Sequence, residues 1–459
     1  MTRAAWRLGI GAAGLLVVLP GASLAAQTPY LRGTDAVSIG RSGAGVAYGR
    51  SLEAGALNPA LLVTLQDERS AYLSLGMETQ SSSSTLQSNS LKLFTTDRNR
   101  ALPAMGAAWK LSPTFALGIK LDTPVLRHGT LPEEASSRFY WEGLDLGVHR
   151  LEVQGSWALS EKLSLGLGLG LARISYASDV SVRAIVPEDG SQAYNASTNP
   201  AVAMVEESLH QTATKTTGCY SLGLRYAINP RWTLGASYTK ILKADLSLSA
   251  STNDRTPSVS GVYLNDPVPA GVDASVAAVV AGSHATAGSG SVEIPGVATL
   301  GVRHRFNQIF TWELDLRYTQ GASFKLPSQP GLYTPSGQVS APVAEGGYRN
   351  ALGVSLMGEI TFTKRLTGRI GMAMDGATVD AQAVDPVVGG LASSAFSLGM
   401  GYKTWGGELN VGVQARLSKD TDSSRLAMDW DLGGPRTISG KTRVEGTGYT
   451  WAVGFRRSF

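Results

Sequence analysis

From about Arg69 to the C-terminus, apolar and polar residues alternate with a period of two. Phe310 to Tyr318 is apolar at every even position and polar at every odd one, and Leu163 to Leu171 sets leucine against serine and glycine. Leu409 to Leu417 and Tyr449 to Phe455 repeat the pattern. A strand points successive side chains to opposite faces, so each segment offers one apolar row and one polar row. Fourteen such segments fall near 69–79, 101–111, 114–123, 148–159, 162–174, 216–228, 231–248, 292–306, 309–320, 348–360, 365–376, 394–404, 407–418 and 447–459. Six connections are tight, as at Ser112-Pro113 and Asn229-Pro230, and they alternate with seven long ones. An even strand number, with tight turns at one end and long loops at the other, is how bacterial outer-membrane barrels are laid out. The predicted fold is an all-β, transmembrane antiparallel barrel of 14 strands over residues 69–459.

The composition fits that reading. Mean hydropathy is zero and only 17% of residues are charged, and no internal run offers the ~20 apolar residues of a membrane helix. Alternation produces such a mean because the two faces cancel. If the apolar row meets lipid, the charged strand residues, among them Lys120, Asp122, Arg150, Glu152, Glu313, Asp315, Arg317, Glu359, Arg369 and Arg416, all face the lumen. Lipid exposure of a Lys or Arg at mid-depth would cost ~2–4 kcal/mol. These charges form a network that props the barrel, with individual members available to a solute. The row is otherwise rich in glycine and serine, which favours a polar solute or a closed barrel.

Residues 1–25 read as a secretory signal peptide: Arg3 and Arg7, then the apolar Leu8 to Leu19, then Ser23-Leu24-Ala25 with cleavage after Ala25. The destination is the bacterial outer membrane, whose lipid and lipopolysaccharide would surround the barrel. Phe459 ends an amphipathic strand and resembles the signal read by the barrel assembly machinery, although Arg457 stands where that signal usually has an aromatic. Cys219 is the only cysteine, so no intrachain disulfide is possible. The net charge of +4 is scattered, which gives nucleic-acid binding no support.

Residues 26–68 do not alternate. Gly40-Arg41-Ser42-Gly43-Ala44-Gly45 leads to Leu57-Asn58-Pro59-Ala60, with glycines suited to tight turns and an Asn-Pro turn former. A 14-stranded lumen has room for such a segment as a plug. Here the chain resembles the outer-membrane long-chain fatty acid transporter family (FadL/TodX). That family opens with a Gly-rich hatch followed, at this spacing, by Asn-Pro-Ala; Gly40, Arg41, Gly43, Gly45, Asn58, Pro59 and Ala60 match it. Ile294-Pro295 and Tyr348 to Gly353 match further along. Arg50-Ser51 replaces the family's usual acidic pair, and Tyr318 to Gly321 lacks its tryptophan.

The resemblance implies passive transport of hydrophobic molecules such as long-chain fatty acids or hydrocarbons. It implies capture between the third and fourth outer loops, a lumen pocket, and exit through a strand kink or by hatch rearrangement. In loop three, Pro200 to Leu209, with Val202 and Met204, reads as a short amphipathic helix; in loop four, Val276, Val279 and Val280 lie in an apolar stretch. Such helices in water want a partner, either each other as a lid or a greasy ligand. Alignment with the family offers Arg173, and then Lys325, as the cation for a carboxylate. Strand parity instead turns Arg173 outward, toward lipopolysaccharide phosphates, unless a bulge shifts the register. A structural or adhesion barrel that only displays loops is the other reading. Five scattered histidines, no nucleophile elbow and no metal-ligand spacing argue against an enzyme, and neither a cofactor nor a metal is expected. Asp420, Asp422, Asp429 and Asp431 lack the calcium-loop pattern.

Overall fold

The computed structural model describes residues 30–48, 52–86, 91–94, 99–131, 142–187, 201–253, 284–334, 337–340, 347–380, 384, 387, 390–404, 406–418, 421–423, 428–431, 434–437 and 442–459. The expected signal peptide and the loop-four stretch Val276 to Val280 lie outside them. Fourteen strands close an antiparallel barrel. They are β1 Arg69–Leu86, β2 Arg100–Ser112, β3 Phe115–Thr130, β4 Gly143–Ala158, β5 Leu163–Pro187, β6 Ala201–Ala227 and β7 Trp232–Ile241. The second half comprises β8 Val297–Arg305, β9 Phe310–Thr319, β10 Ala351–Thr361, β11 Leu366–Asp375, β12 Ser393–Thr404, β13 Gly407–Ser418 and β14 Thr442–Ser458. Each strand pairs with the next, and β14 closes on β1 from Ser70↔Ser458 to Leu86↔Thr442. Closure leaves no free edge strand, apart from the local break between β2 and β3 described below.

The apolar rows form the outer wall. Leu151, Val153 and Trp157 of β4, Leu167 and Leu169 of β5, and Leu316 of β9 all point outward and are exposed. The charged rows point inward: Lys120, Asp122, Arg150, Glu152, Glu313, Asp315, Glu359, Arg369 and Arg416 are buried in the lumen.

Two expectations are corrected. The helix expected over Pro200 to Leu209 is not formed by its described part, because Ala201 to Leu209 belong to β6, which pairs with β5 from Leu163↔Tyr226 to Pro187↔Ala201 with one register shift at Val186/Pro187. Val202 and Met204 are therefore strand residues. The unbroken apolar run Ala201 to Val205 gives no strand period of its own, and its pairing partners lie on β5, from Ala184 to Pro187, where no local pattern reveals them. Second, the strand expected over 231–248 stops at Ile241; Ala244–Asp245 pairs instead with Ser291–Val292.

The long strands explain a third feature that the apolar pattern hides. β5 has 25 residues, which as antiparallel strand is ~80 Å of chain, whereas the lipid-facing band of a barrel is only ~25 Å tall. Beyond the band the outer face meets water and the hydrophobic phase reverses. Leu169 and Leu171 point outward at 59% and 57% exposure, and then Ala172, Ile174 and Tyr176 point inward and are buried. On β4 the same step separates outward Leu151 from inward Val148, Leu146 and Leu144. The lumen is thus polar near the periplasmic end and apolar toward the outside, so the glycine and serine row that favoured a polar solute or a closed barrel describes only its periplasmic half.

Candidate functional site

Residues 30–65 occupy the polar half of the lumen as a compact hatch. It contains α1 Ala36–Ile39, α2 Leu52–Leu57 and a 3-10 turn Pro59–Thr64. Asp35 caps α1, accepting the N–H groups of Val37 and Ser38 at 2.9 Å, while the Ser38 hydroxyl reaches back to the Asp35 N–H. Burial, with the Glu53 charge adding to it, pushes the Asp35 carboxyl up to about 6. Gly40 ends the helix, its N–H donating to Ala36 O. Gly43 has a positive φ of 75°, and a Cβ there would run into the carbonyl of Arg32, so the turn requires glycine.

The hatch is fastened to the wall by charge. Arg41 donates to Glu359 Oε2 at 2.6 Å and lies over the Tyr48 ring, 4.3 Å from its centroid. Tyr48 donates its hydroxyl to the same carboxylate, and Arg369 donates to it at 3.0 Å. Desolvation and the adjacent Glu359 charge hold the Tyr48 hydroxyl far above its ordinary range. The Gly45 N–H donates to Asp315 at 2.9 Å and the Ala47 N–H to Glu313 at 2.6 Å. Arg456 of β14 joins Glu53 of α2 to Glu408 of β13.

Asn58 is fully buried where hatch meets wall. Its amide donates to Val46 O at 2.7 Å within the hatch and to Leu224 O of β6 at 3.0 Å, and its Oδ1 accepts from Ala60 N. Pro59 opens the 3-10 turn, and the Ala60 carbonyl accepts from Ser164 of β5. Opposite Asn58 stands Gly223, where a Cβ would collide with Asn58 Oδ1. Glycine in the polar row therefore makes room for the hatch backbone.

Above the hatch the inward faces of Leu144, Leu146, Val148, Ile174, Tyr176 and Ile241 form one apolar cluster with Tyr30 and Val125. This chamber lies beside an interruption in the wall. Between Asp122 and Val125, β3 carries one residue more than β4, so the register shifts at Thr123-Pro124. Pairing with β2 stops at Met105↔Leu121, and residues 100–104 have no backbone pairing to β3 among the described residues. Pro103 and Pro124 stand on the two sides of this gap. Proline has no N–H to lose, which suits an unpaired edge. The Pro124 carbonyl accepts instead from the Leu31 N–H of the hatch at 2.9 Å, and Tyr30 bridges to Val125. Toward the outside an ion pair of Arg100 with Asp145 of β4 spans the gap, with His128 Nδ1 3.2 Å from Arg100. Two prolines inside otherwise alternating segments were the sequence signal for this gap.

Of the other anticipated site residues, Arg173 lies exposed on the outer face of β5, between the inward Ala172 and Ile174. No bulge interrupts its pairing with His149. A lumen cation at that position is thus ruled out geometrically. Lys325 is exposed and its backbone bridges to Glu293 at 3.0 Å. Val202 and Met204 share the first residues of β6.

A closed barrel with a charge-fastened hatch, an apolar chamber and a gap in its wall has the architecture of an outer-membrane channel. The sequence pattern of the family described as Outer membrane protein transport protein (OMPP1/FadL/TodX) matches residues 21–459, and the chain belongs to that family. No curated protein matches the sequence. In fold the chain is similar to a Pseudomonas aeruginosa FadL homologue at 18% identity and TM-score 0.69, covering 95% of this chain and 100% of that one. It is also similar to the Pseudomonas putida toluene transporter TodX at 15% identity and TM-score 0.64, covering 94% and 99%. The CymD monoaromatic hydrocarbon channel aligns at 15% identity and TM-score 0.59, covering 94% and 98%. The family makes this chain an outer-membrane channel for hydrophobic compounds.

Proposed function

We propose that the chain passively transports hydrophobic molecules of the size of long-chain fatty acids or hydrocarbons, using the apolar chamber as its lumen pocket. The observation that carries this reading is the contiguity of chamber and gap: Tyr30 and Val125 belong to the apolar cluster and also flank the interruption between β2 and β3. A solute in the chamber is held off the polar lumen by the hatch and has the membrane as its downhill exit. Each buried CH₂ contributes ~0.8 kcal/mol whether its neighbours are protein or lipid, so no energy source is required. The toluene transporter and the monoaromatic channel of the same fold support a hydrophobic solute.

Capture falls to the outer loops, with the loop-four stretch around Val276, Val279 and Val280 as the first apolar surface. Cleavage of residues 1–25, assembly through Phe459, and contact of Arg173 with lipopolysaccharide complete the reading. Phe459 is exposed, its N–H donating to Arg69 O at 2.9 Å. The alternative, a barrel that only displays loops, has no use for an interrupted wall.

Changing Val276, Val279 and Val280 together to Ser removes several CH₂ equivalents of capture, worth ~0.8 kcal/mol each, and is expected to lower uptake about tenfold or more. The test is uptake of a labelled long-chain fatty acid and of labelled toluene in a host lacking its own channels of this kind, with heat-modifiable gel mobility as the folding control. If the unaltered chain restores uptake of neither solute, the display reading replaces the transport one.

A further inference from the structure

We propose that the periplasmic rim of the barrel binds net-negative phospholipid headgroups of the inner leaflet through lysines and arginines of its tight turns. The inference does not depend on what the channel carries.

Five of the tight turns share one construction. An exposed apolar residue, Leu111, Leu159, Ile228, Phe306 or Phe362, continues the outward row of its strand. The next residue is Ser112, Ser160, Asn229, Asn307 or Thr363, whose side-chain oxygen accepts backbone N–H groups two or three places further on. In four of the five the apolar residue's own N–H closes the turn: Leu159 donates to Leu163 O at 2.9 Å, Ile228 to Trp232 O at 3.1 Å, Phe306 to Phe310 O at 3.0 Å and Phe362 to Leu366 O at 2.9 Å. Three places after the apolar residue stand the exposed Lys162, Arg231 and Arg365, with Lys364 beside the last. Arg305 ends β8, and its N–H donates to Arg231 O at 2.8 Å; Lys403 lies near the end of β12, and its N–H donates to Arg365 O at 2.8 Å. Cations therefore stand side by side on neighbouring strands. In the turns from β4–β5 to β12–β13 the only carboxylate beside these cations is Glu161. Among the described residues none of the six cations forms an ion pair.

The surroundings that fit this rim are lipid. Trp109 and Trp157 lie two residues above Leu111 and Leu159 on the same outward rows, and exposed tryptophans mark the level of the headgroups. Phe306, Ile309 and Phe362 are 52%, 57% and 62% exposed, large apolar side chains that water alone would not favour at a turn. In a leaflet they sink beside the acyl chains, while the neighbouring lysines and arginines lay their stems along the boundary and reach the phosphates. Cations set side by side without a carboxylate repel one another, and a layer of net-negative headgroups relieves that repulsion. An acidic protein would also meet the cations, but it would leave unexplained the apolar residues that continue the lipid-facing wall beside them. The cations are spread over five turns around the barrel, not gathered on one face, as a surrounding ring of lipid requires. At the β2–β3 turn Thr114 takes the cation's place, so the arc leaves out the interrupted part of the wall.

The test reconstitutes the full chain in phosphatidylcholine bilayers carrying a trace of chain-labelled, spin-labelled phosphatidylglycerol or, in a parallel sample, of spin-labelled phosphatidylcholine. Electron paramagnetic resonance reads the fraction of each label immobilised at the barrel. At low salt the phosphatidylglycerol label is expected to associate about threefold or more better than the phosphatidylcholine label, and in ~1 M salt the two should become equal. The combined variant Lys162→Gln, Arg231→Gln, Lys364→Gln and Arg365→Gln is expected to lose the preference at low salt. Equal immobilisation of both labels by the unaltered chain at low salt overturns the proposal and leaves the rim to solvent or to an acidic protein. A preference that high salt does not abolish overturns it as well, and neither comparison needs a variant to fold. So does a preference that survives in the combined variant, shown to be folded by heat-modifiable mobility.

Discussion

Deleting Pro124 is expected to bring uptake of hydrophobic solutes down to the background of the host while leaving a folded barrel. β3 carries one residue too many between its partners Arg150 and Val148 on β4. With Pro124 gone, Asp122 and Val125 still face inward, Thr123 faces out between them, and the alternation is regular. The strand also regains an N–H at every position facing residues 100–104 of β2. Each new ladder hydrogen bond stabilises closure by ~0.5–1.5 kcal/mol, so several together shut the gap firmly. The check is uptake of the labelled solutes beside heat-modifiable mobility of the variant. Undiminished uptake through a folded, regularised β3 would reject the lateral route and point to hatch movement instead.

The second large effect lies at the hatch. Arg41→Ala removes the cation that fastens α1 to β10 through Glu359 and withdraws one of the two charges stacked on Tyr48, leaving Arg303. Breaking a buried pair by removing one partner is destabilising by ~3–5 kcal/mol, here softened because Arg369 still reaches Glu359. The hatch is expected to undock, and purified protein in planar bilayers should then show channel openings absent from the unaltered chain. Asn58→Ala should act in the same direction, since it strips a hydrogen bond each from Val46 O, Leu224 O and Ala60 N, at ~1–3 kcal/mol for each buried group left unpaired. Conductance indistinguishable from that of the unaltered chain in both variants means the hatch is held by packing alone.

What could be read before the structure was the wall. Leucine against glycine over Leu163 to Leu171 and the mixed row of Phe310 to Tyr318 are local patterns that lipid on one side and lumen on the other enforce residue by residue. The hatch was legible only by contrast: Gly43 and Asn58-Pro59 announced turns, and the Asn58 side chain does bind backbone in both hatch and wall. Its fastening was not legible, because Arg41 and Glu359 are far apart in sequence and no spacing rule joins them. The chamber stayed hidden for another reason. Ala172, Ile174 and Tyr176 alternate as regularly as Leu167, Leu169 and Leu171 but on the opposite parity, and only the height of the membrane tells which row is inside. Once that reversal is noticed, the sequence itself marks the outer rim of the lipid band near Leu171 and Leu151.

The most direct test of the chamber as the solute's path is anomalous scattering from crystals soaked with a long-chain fatty acid brominated near its tail. Bromine density is expected inside the barrel, against Leu144, Leu146 and Ile174. Bromine confined to the outer wall, among Leu169, Leu316 and their lipid-facing neighbours, would contradict transport through the lumen.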